Sequence, residues 1–228
     1  MKGPSKSVGA GWIDISVPLK TGMVVYPSDS PVLIERTCDV ARGDRVTLSR
    51  LSMGLHAGTH VDAPLHLFEK GLPVDRVPLA ALIGTAQVID ILDEASITRP
   101  EVEAHLTEGC GIVLFKTRNS TLWRQAGFCA GYVSLSASAA EYLVKKGVSA
   151  VGIDYLSIDG FGQDELKAHA LLLGAGVPVI EGLDLSDVGA GVYECICLPL
   201  RVEGGEAAPA RVIVRPVSRL PLRNRAEV

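Results

Sequence analysis

The sequence predicts a mixed α/β fold with a mainly β core and flanking helices, because short apolar runs rich in β-branched residues outnumber helical patterns. The 228 residues contain no internal repeat and no polar linker, which favours a single domain over residues 1–228. Hydrophobic residues make up 47% of the chain and charged residues 21%, an ordinary balance for a globular protein. Both ends are polar, so we expect an ordered core over about residues 12–217.

The strands are predicted from apolar runs that end at turn residues. In chain order these runs lie at residues 12–19, 24–27, 46–55, 84–91, 111–117, 149–154, 177–183, 193–202 and 210–217. The run at 46–55 leads directly into a cluster of histidines. In a later run Cys195 and Cys197 are two residues apart, so a strand would point both thiols to one face.

Three segments have the spacing and end signals of helices. Ser138 and Glu141 match a capping box, and Gly147 follows the last periodic residue, so a helix is predicted between them. Residues 164–176 begin with acids and end with glycines, and residues 99–108 form a shorter amphipathic pattern. These helices would flank the β core.

Charge and composition indicate which classes of molecule the chain is expected to bind. The formal net charge is -4 with both signs interspersed, which gives no basis for binding nucleic acid or an anionic membrane. No apolar segment reaches the roughly 18 to 20 residues that span a bilayer, and the N-terminal segment lacks the apolar centre of a signal peptide. The five cysteines are scattered, which is typical of reduced thiols. The sequence therefore predicts a cytoplasmic protein that acts on a small molecule.

The segment HAGTHVDAPLH, residues 56–66, holds three of the five histidines of the chain. Gly58 and its β-branched neighbours oppose a helix, so an extended strand would point His56, His60 and Asp62 to one face. Four residues of strand span roughly 13 Å. Two imidazoles therefore reach one ion only if the chain bends at Gly58; otherwise the ligands serve two metals. Two imidazoles and a carboxylate suit zinc, manganese or iron(II).

His66 follows Pro64, which stiffens the chain and is expected to turn it away from the row of ligands. His66 is either a further ligand or a general acid and base, because its unperturbed pKa near 6.5 allows proton transfer near neutral pH. Water activated by a metal, together with proton transfer by His66, indicates hydrolysis. His105 lies alone among glutamates on an amphipathic pattern and is predicted to be solvated.

HAGTHVDAPLH resembles the signature H-x-G-T-H-x-D-x-P-x-H of the metal-dependent hydrolases of the cyclase family, which includes bacterial kynurenine formamidase and isatin hydrolase. Further family segments resemble DISVPLKTGMVVYPSDSP, GIDYLSID, AHALLLGAGVPVIEGL and LPLRVEGGEAAPARVIV, so the resemblance covers about residues 12–217. It implies a swivelling β/β/α-type fold, a homodimer or homotetramer, and one or two divalent ions per chain, Zn²⁺ before Mn²⁺. It also implies the metal ligands His56, His60, Asp62, His169 and Glu181, with His66 as the proton donor and acceptor.

The resemblance implies an amide substrate. The first candidate is N-formylkynurenine, which an arylformamidase cleaves to kynurenine and formate; the alternative is a cyclic amide or lactone such as isatin. Kynurenine formamidases tend to have a tryptophan that stacks on the aromatic substrate at the position of Tyr26. Tyr26 is therefore either a substrate-binding residue or an ordinary half-buried side chain before a turn. Ser157 and Asp159 either approach the pocket or only form a turn.

Two other classes of function are compatible with the same residues. A non-haem iron(II) oxygenase also uses two histidines and one carboxylate, and its activity would require oxygen. A binding protein would use the metal only to stabilise its fold. Structural zinc sites normally include cysteines, and none of the five cysteines lies near the cluster in sequence, which argues against this second class.

Overall fold

The computed structural model describes residue 7 and residues 9–92, 95–163 and 165–217. These residues form twelve strands and three α-helices. The strands are β1 (Ile13–Asp14), β2 (Leu33–Cys38), β3 (Leu48–Ser52), β4 (His60–Asp62), β5 (Ile83–Ile91), β6 (Ser96–Ile97), β7 (Ile112–Thr117), β8 (Ser134–Leu135), β9 (Ala150–Ile153), β10 (Val179–Glu181), β11 (Gly191–Pro199) and β12 (Ala207–Pro216). The helices are α1 (Arg99–His105), α2 (Ala137–Lys146) and α3 (Lys167–Gly174). The polar C-terminal tail expected at residues 219–228 lies outside the described residues.

Eight of these strands form the main sheet, in the order β1-β12-β11-β5-β7-β9-β10-β4. The four adjacent strands β5, β7, β9 and β10 run parallel to one another. All other pairs of neighbouring strands in this sheet are antiparallel. β4 pairs with β12 as well as with β10, so the sheet closes on itself. The prediction of a mixed α/β fold with a mainly β core and flanking helices is confirmed.

The central parallel strands are buried on both faces because the sheet separates two apolar cores. In β7, Ile112 and Leu114 pack in the core on one side of the sheet, together with residues of β5, β11 and β12. Val113 and Phe115 pack on the other side, where all three helices contribute apolar residues such as Leu143. This two-sided burial explains why β7 is a continuous apolar run and does not alternate with polar residues.

α2 begins two residues earlier than predicted. Its N-cap is Ser136, whose side chain accepts a hydrogen bond from a backbone N–H of the first turn. The predicted capping box of Ser138 and Glu141 is therefore wrong, and Glu141 instead accepts a hydrogen bond of 2.8 Å from Lys145. The C-terminal prediction is confirmed, because Gly147 ends the helix in a left-handed conformation with φ of 72°.

Further predicted boundaries differ from the structure: the strand expected at 12–19 forms only at Ile13–Asp14, and the one expected at 46–55 forms only at Leu48–Ser52. α3 begins at Lys167 without an acid in its first turn, and the acid predicted to open it, Asp164, lies outside the described residues. The predicted strand at 24–27 does not form, because the chain turns there and the N–H of Asp29 donates to the carbonyl of Tyr26 at 2.8 Å. A proline, which has no N–H to give to a sheet, follows Tyr26.

Other sequence expectations agree with the structure. His105 is exposed, as predicted, although α1 ends there and not at the predicted residue 108. Cys195 and Cys197 pack in the same core, and all five cysteines have free thiols. No helix within the described residues is long and apolar enough to cross a membrane.

Asp154 joins the ends of two parallel strands. It follows β9, is buried, and accepts hydrogen bonds from the N–H and hydroxyl of Thr117 at 2.8 and 2.9 Å. It also accepts hydrogen bonds from the N–H and hydroxyl of Ser120 at 3.0 and 2.7 Å. Burial raises the pKa of Asp154 to about 6, although these hydrogen bonds favour the ionised carboxylate.

Replacing Asp154 with alanine should lower the free energy of unfolding by about 2–4 kcal/mol below about pH 4, because two buried N–H groups lose their acceptor. The pKa of Asp154 is higher in the folded than in the unfolded chain, so its contribution is full below the unfolded pKa and is lost as pH rises through about 6. The difference between the wild type and the variant should therefore narrow toward neutral pH. Urea unfolding at several pH values measures this, with the exposed Glu108→Ala as the control. A difference that stays constant with pH would contradict the prediction.

Candidate active site

Two adjacent strands and one helix bring four of the proposed ligands together. β4 and β10 are antiparallel, with His60 directly opposite Glu181. His60 Nε2 lies 3.4 Å from Asp62 Oδ1 and 3.4 Å from Glu181 Oε2. His169 comes from α3, and its Nε2 lies 3.3 Å from Asp62 Oδ2 and 3.1 Å from Glu181 Oε1. All four side chains are buried and form one centre.

A bend brings His56 to the same centre. Gly58 has a φ of 71°, the chain turns there, and only His60–Asp62 is strand. His56 Nδ1 lies 2.8 Å from Asp62 Oδ1. The expected bend at Gly58 is therefore confirmed, whereas the expectation that strand alternation aligns His56 with the others is wrong.

A second glycine allows this bend to lie against the end of β10. Gly182 has a φ of 71°, and a Cβ at that position would lie 2.0 Å from the carbonyl oxygen of Gly58. The hydroxyl of Thr59 donates to the carbonyl of Gly182 at 2.5 Å and accepts from the N–H of Val17 at 2.9 Å. These contacts fix the histidine segment on the strand that carries Glu181.

Hydrogen bonds at Nδ1 orient two of the histidines. His60 Nδ1 lies 2.9 Å from the carbonyl oxygen of Gly58, and His169 Nδ1 lies 2.7 Å from Asp159 Oδ2. A carbonyl oxygen and a carboxylate oxygen only accept, so each Nδ1 donates. Each Nε2 is thereby directed at the carboxylates of Asp62 and Glu181. Histidines that bind metals are commonly oriented in this way.

Two overlapping sets of donor atoms share Asp62. His56, Asp62 and His66 form one set, and His60, Asp62 and Glu181 form the other. Within each set the donor atoms lie within 4.8 Å of one another, so each set is compact enough for one ion. A carboxylate that belongs to both sets is an arrangement found where two metal ions act together.

The charges at this centre fit a cation. Asp62 Oδ1 and His60 Nε2 have no hydrogen-bond partner among the described residues. His56 Nδ1 lies 2.8 Å from Asp62 Oδ1, which is an ion-pair distance when the imidazole is protonated. Burial lowers the pKa of His60, but Asp62 and Glu181 outweigh burial and raise that pKa to about 10. The pKa of His169 is likewise raised, against burial, chiefly by Glu181. Buried carboxylates require positive charge nearby, and these imidazole and carboxylate donors suit a divalent metal.

His66 lies beside this centre at the end of a 3₁₀ turn, Pro64–His66. Its ring centroid is 4.4 Å from that of His56 and 5.6 Å from that of His169. The expectation that the proline turns His66 away from the ligands is therefore wrong, because the 3₁₀ turn returns the side chain to them. Burial lowers the pKa of His66 below its usual value, so the imidazole is neutral and accepts a proton near pH 7.

Tyr26 lies in an aromatic group next to the centre. Its ring is 5.7 Å from that of Phe128 and 5.8 Å from that of Phe161, both in edge-on contact. Burial raises the pKa of Tyr26, and the charge of Glu181 raises it further, so the phenol lies within electrostatic range of the ligands. Tyr26, Phe128 and Phe161 form an aromatic wall beside the centre. This wall is open to solvent on one side, because Phe161 is 44% exposed.

The structure gives different partners to Asp159 and Ser157, the two residues whose roles the sequence left open. Asp159 accepts hydrogen bonds from the N–H groups of Ala168 and His169 at 2.9 Å each, in addition to the bond from His169 Nδ1. It therefore holds both the start of α3 and the ring of His169. Ser157 is buried, and its side chain lies near the hydroxyl of Tyr132, which donates to the carbonyl of Asp159 on the aromatic side of the site. Sequence spacing could not assign either partner, since the partner of Asp159 is on the next helix.

The family model described as "Putative cyclase" matches residues 13–160. The chain belongs to the cyclase family. This cyclase-family chain is 33% identical over 206 residues to the kynurenine formamidase of Bacillus cereus, an alignment that covers 90% of the chain and 98% of that relative. It is similar to a structure described as a predicted metal-dependent hydrolase from Bacillus stearothermophilus, with a TM-score of 0.76, 35% identity, and coverage of 89% and 97%. Isatin hydrolase A from Ralstonia solanacearum has the same fold, with a TM-score of 0.77 at 24% identity and coverage of 90% and 91%.

Family membership and geometry lead to the same class of enzyme. The relatives at 33–35% identity are amide-cleaving or metal-dependent hydrolases by name, and they cover almost the whole chain. The donor atoms around Asp62 are close enough together to hold a metal ion. The cyclase-family chain is a metal-dependent amide hydrolase with a divalent metal as its cofactor.

Proposed function

We propose that the chain is an arylformamidase that hydrolyses N-formylkynurenine to kynurenine and formate. The observation that carries this proposal is the buried centre where Asp62 meets His60 and Glu181, with the imidazole of His66 and the aromatic wall at Tyr26 beside it. Relatives named kynurenine formamidase, from Bacillus cereus and Bacillus cytotoxicus, support this choice of substrate.

The proposed ligands of the metal are His56, His60, Asp62, His169 and Glu181. When bound, a divalent ion supplies a Lewis acid that activates water and polarises the substrate carbonyl. Imidazole and carboxylate donors without a thiolate suit Zn²⁺ first and Mn²⁺ second. One of the two sets includes His66, which is proposed as the proton carrier and not as a ligand, so we propose one or two ions per chain.

His66 is the proposed carrier of the proton. As the water oxygen bonds to the formyl carbon, the imidazole of His66 takes a proton from that water. As the C–N bond breaks, His66 returns the proton to the departing nitrogen. The nitrogen therefore leaves as a neutral arylamine, and the formyl group leaves as formic acid, which releases its proton to water and becomes formate. The lowered pKa of His66 supports the first step, because the imidazole is unprotonated at neutral pH.

Tyr26 is the proposed contact for the aryl ring. Replacing Tyr26 with alanine should raise KM for N-formylkynurenine by about three- to tenfold with little change in kcat, because an aromatic pair contributes roughly 0.5–1.5 kcal/mol. Replacing it with tryptophan should keep KM at or below the wild-type value. Steady-state kinetics measure both, and N-formylglycine, which has no aryl ring, is the control substrate. The same rise in KM for both substrates would contradict stacking.

We also propose that the chain acts in the cytoplasm as a homodimer or homotetramer. Five free thiols suit a reducing compartment. The resemblance to the cyclase family supports the assembly.

Metal analysis followed by hydrolysis assays tests the proposed function. Protein loaded with Zn²⁺ or Mn²⁺ is compared with chelator-treated protein on N-formylkynurenine, isatin and simple lactones, with and without oxygen. We expect turnover of N-formylkynurenine that is lost on chelation, restored by metal and independent of oxygen. Turnover of isatin alone would transfer the proposal to cyclic amides. A strict requirement for iron and oxygen would instead indicate an oxygenase.

A further inference from the structure

Glu206 is the last residue of the connection between β11 and β12, and the closure of the sheet places it beside the histidine segment. Ala207, the first residue of β12, lies directly opposite Asp62 of β4. The N–H of Ala63 donates to the carbonyl of Glu206 at 2.9 Å. The backbone of Glu206 is therefore held next to the strand that carries two of the proposed ligands.

The side chain of Glu206 faces the outer nitrogen of His56. Nδ1 of His56 lies 2.8 Å from Asp62 Oδ1, so Nε2 is the nitrogen on the other side of the ring. Glu206 Oε1 lies 3.6 Å from this Nε2, which is within ion-pair distance but too long for a hydrogen bond. The side chain of His56 is 21% exposed and that of Glu206 is 43% exposed, so their contact lies at the rim of the centre.

The other two histidines of the centre also have an oxygen acceptor at their outer nitrogen. His60 Nδ1 lies 2.9 Å from the carbonyl oxygen of Gly58. His169 Nδ1 lies 2.7 Å from Asp159 Oδ2. In both rings Nδ1 is the outer nitrogen, and Nε2 faces the carboxylates of the centre. His56 has the reverse orientation, with Nδ1 toward the centre and a carboxylate near Nε2.

We propose that Glu206 is a positioning residue for His56, which it holds in the tautomer that offers Nδ1 to the divalent ion. A neutral imidazole carries one proton, so the nitrogen that binds a metal is the one without that proton. A carboxylate near Nε2 favours the proton on Nε2 and thereby leaves the lone pair of Nδ1 for the metal. The proposal rests on His56 as a metal ligand, as given under the proposed function.

The expected effect of Glu206 on metal binding is smaller than that of a buried partner. Loss of the residue that orients a metal-binding histidine typically weakens metal binding by about 10–100-fold. The side chain of Glu206 is 43% exposed, and water screens the interaction of exposed charges. Replacing Glu206 with glutamine, which keeps the size of the side chain but removes its charge, should therefore weaken Zn²⁺ binding by about three- to tenfold.

Competition with a chromophoric chelator tests this expectation on the full chain, because it measures the dissociation constant of Zn²⁺ without reference to turnover. The matched control is Glu203→Gln, which removes the same charge from an exposed position in the same connection. Glu203→Gln should keep the wild-type dissociation constant. His56→Ala, which removes the proposed ligand itself, should weaken Zn²⁺ binding more than Glu206→Gln does. Wild-type affinity in Glu206→Gln, or an equal loss in the two glutamine variants, would overturn the proposal.

Nitrogen-15 NMR of the histidine rings in the Zn²⁺-loaded protein distinguishes positioning from a general effect of charge. The ring signals of His56 are assigned by their loss in His56→Ala, and the wild type should carry the ring proton on Nε2. Glu206→Gln should shift the Nε2 signal of His56 and speed the exchange of its proton with water.

The two measurements also separate this inference from the proposed ligand set. A ring proton on Nδ1 of His56 in the wild type, or unchanged His56 signals in Glu206→Gln, would overturn the role of Glu206. Weakened Zn²⁺ binding in His56→Ala but not in Glu206→Gln would leave His56 as a ligand and remove only its positioning residue. Wild-type affinity in both variants would contradict the ligand assignment of His56 as well.

Discussion

Replacement of His66 with alanine should lower kcat for N-formylkynurenine by about 10²–10⁴-fold, the range expected when a general acid and base is removed. The bound metal should stay at its wild-type stoichiometry, because the other donors, His60, Asp62, His169 and Glu181, do not depend on His66 for their mutual distances. Steady-state kinetics together with metal analysis of the same preparation check both expectations. His66→Gln, which keeps the size of the side chain but cannot exchange the proton, should have a similarly low kcat.

The exposed His105 provides the matched control, since His105→Ala removes a histidine from α1 without touching the centre. It should leave kcat unchanged. His66 also lies within reach of a metal ion that His56 and Asp62 could hold, so the metal content of His66→Ala distinguishes a ligand from a proton carrier. Loss of one equivalent of metal in His66→Ala would reassign the residue as a ligand. Full metal content with unchanged kcat would contradict the proton-transfer role.

The local part of the site was visible in the sequence, whereas the distant part was not. His56, His60 and Asp62 lie within seven residues, and the bend between them follows from Gly58. Glu181 meets His60 only because β4 and β10 pair antiparallel in one particular register, and spacing along the chain does not specify which strands become neighbours. Glu181 was predicted as a ligand from the resemblance to a family and not from periodicity, and the structure places it opposite His60.

The fold, like the site, was predictable from the sequence only where the signal is local. β7 and β9 were recognisable as buried runs because parallel strands covered on both faces are continuously apolar. The closure of the sheet through β4 and β12 had no sequence signal, since it depends on contacts between residues almost 150 positions apart. Helix caps were similarly ambiguous. Two serines stood near the start of α2, and only the extended backbone at Ser136 determined which one became the N-cap.

Asp159 is the strongest case of a residue whose importance follows from geometry alone. Its two oxygens accept three hydrogen bonds, all from α3 and two of them from His169. The bond to Nδ1 orients the ring so that Nε2 lies 3.1 Å from Glu181 Oε1. Burial raises the pKa of Asp159, but the hydrogen bonds from His169 and Ala168 outweigh burial, so the pKa is lowered overall. Asp159 is therefore ionised at neutral pH and increases the basicity of His169, the proposed ligand that it holds.

Replacement of Asp159 with asparagine should weaken metal binding by about 10–100-fold, the effect expected when the partner of a metal-binding histidine loses its charge. Competition with a chromophoric chelator measures the dissociation constant of Zn²⁺ directly, without reference to turnover. The matched control is Asp154→Asn, because Asp154 is also a buried acceptor after β9 but bonds to Thr117 and Ser120 and not to a ligand. It should change the free energy of unfolding while leaving the affinity for Zn²⁺ within about threefold, since it lies outside the ligand shell.

Comparing these two variants shows whether Asp159 positions the ring of His169 or only shapes the turn before α3. If Asp159 only shaped the turn before α3, both variants would destabilise the metal-free protein and neither would change the dissociation constant of Zn²⁺. If Asp159 acts through His169, its variant alone loses affinity, and Asp159→Glu should restore part of it because a carboxylate is again available to Nδ1. The three hydrogen bonds to α3 favour the second result, because a residue needed only for the turn would have no reason to contact the ring.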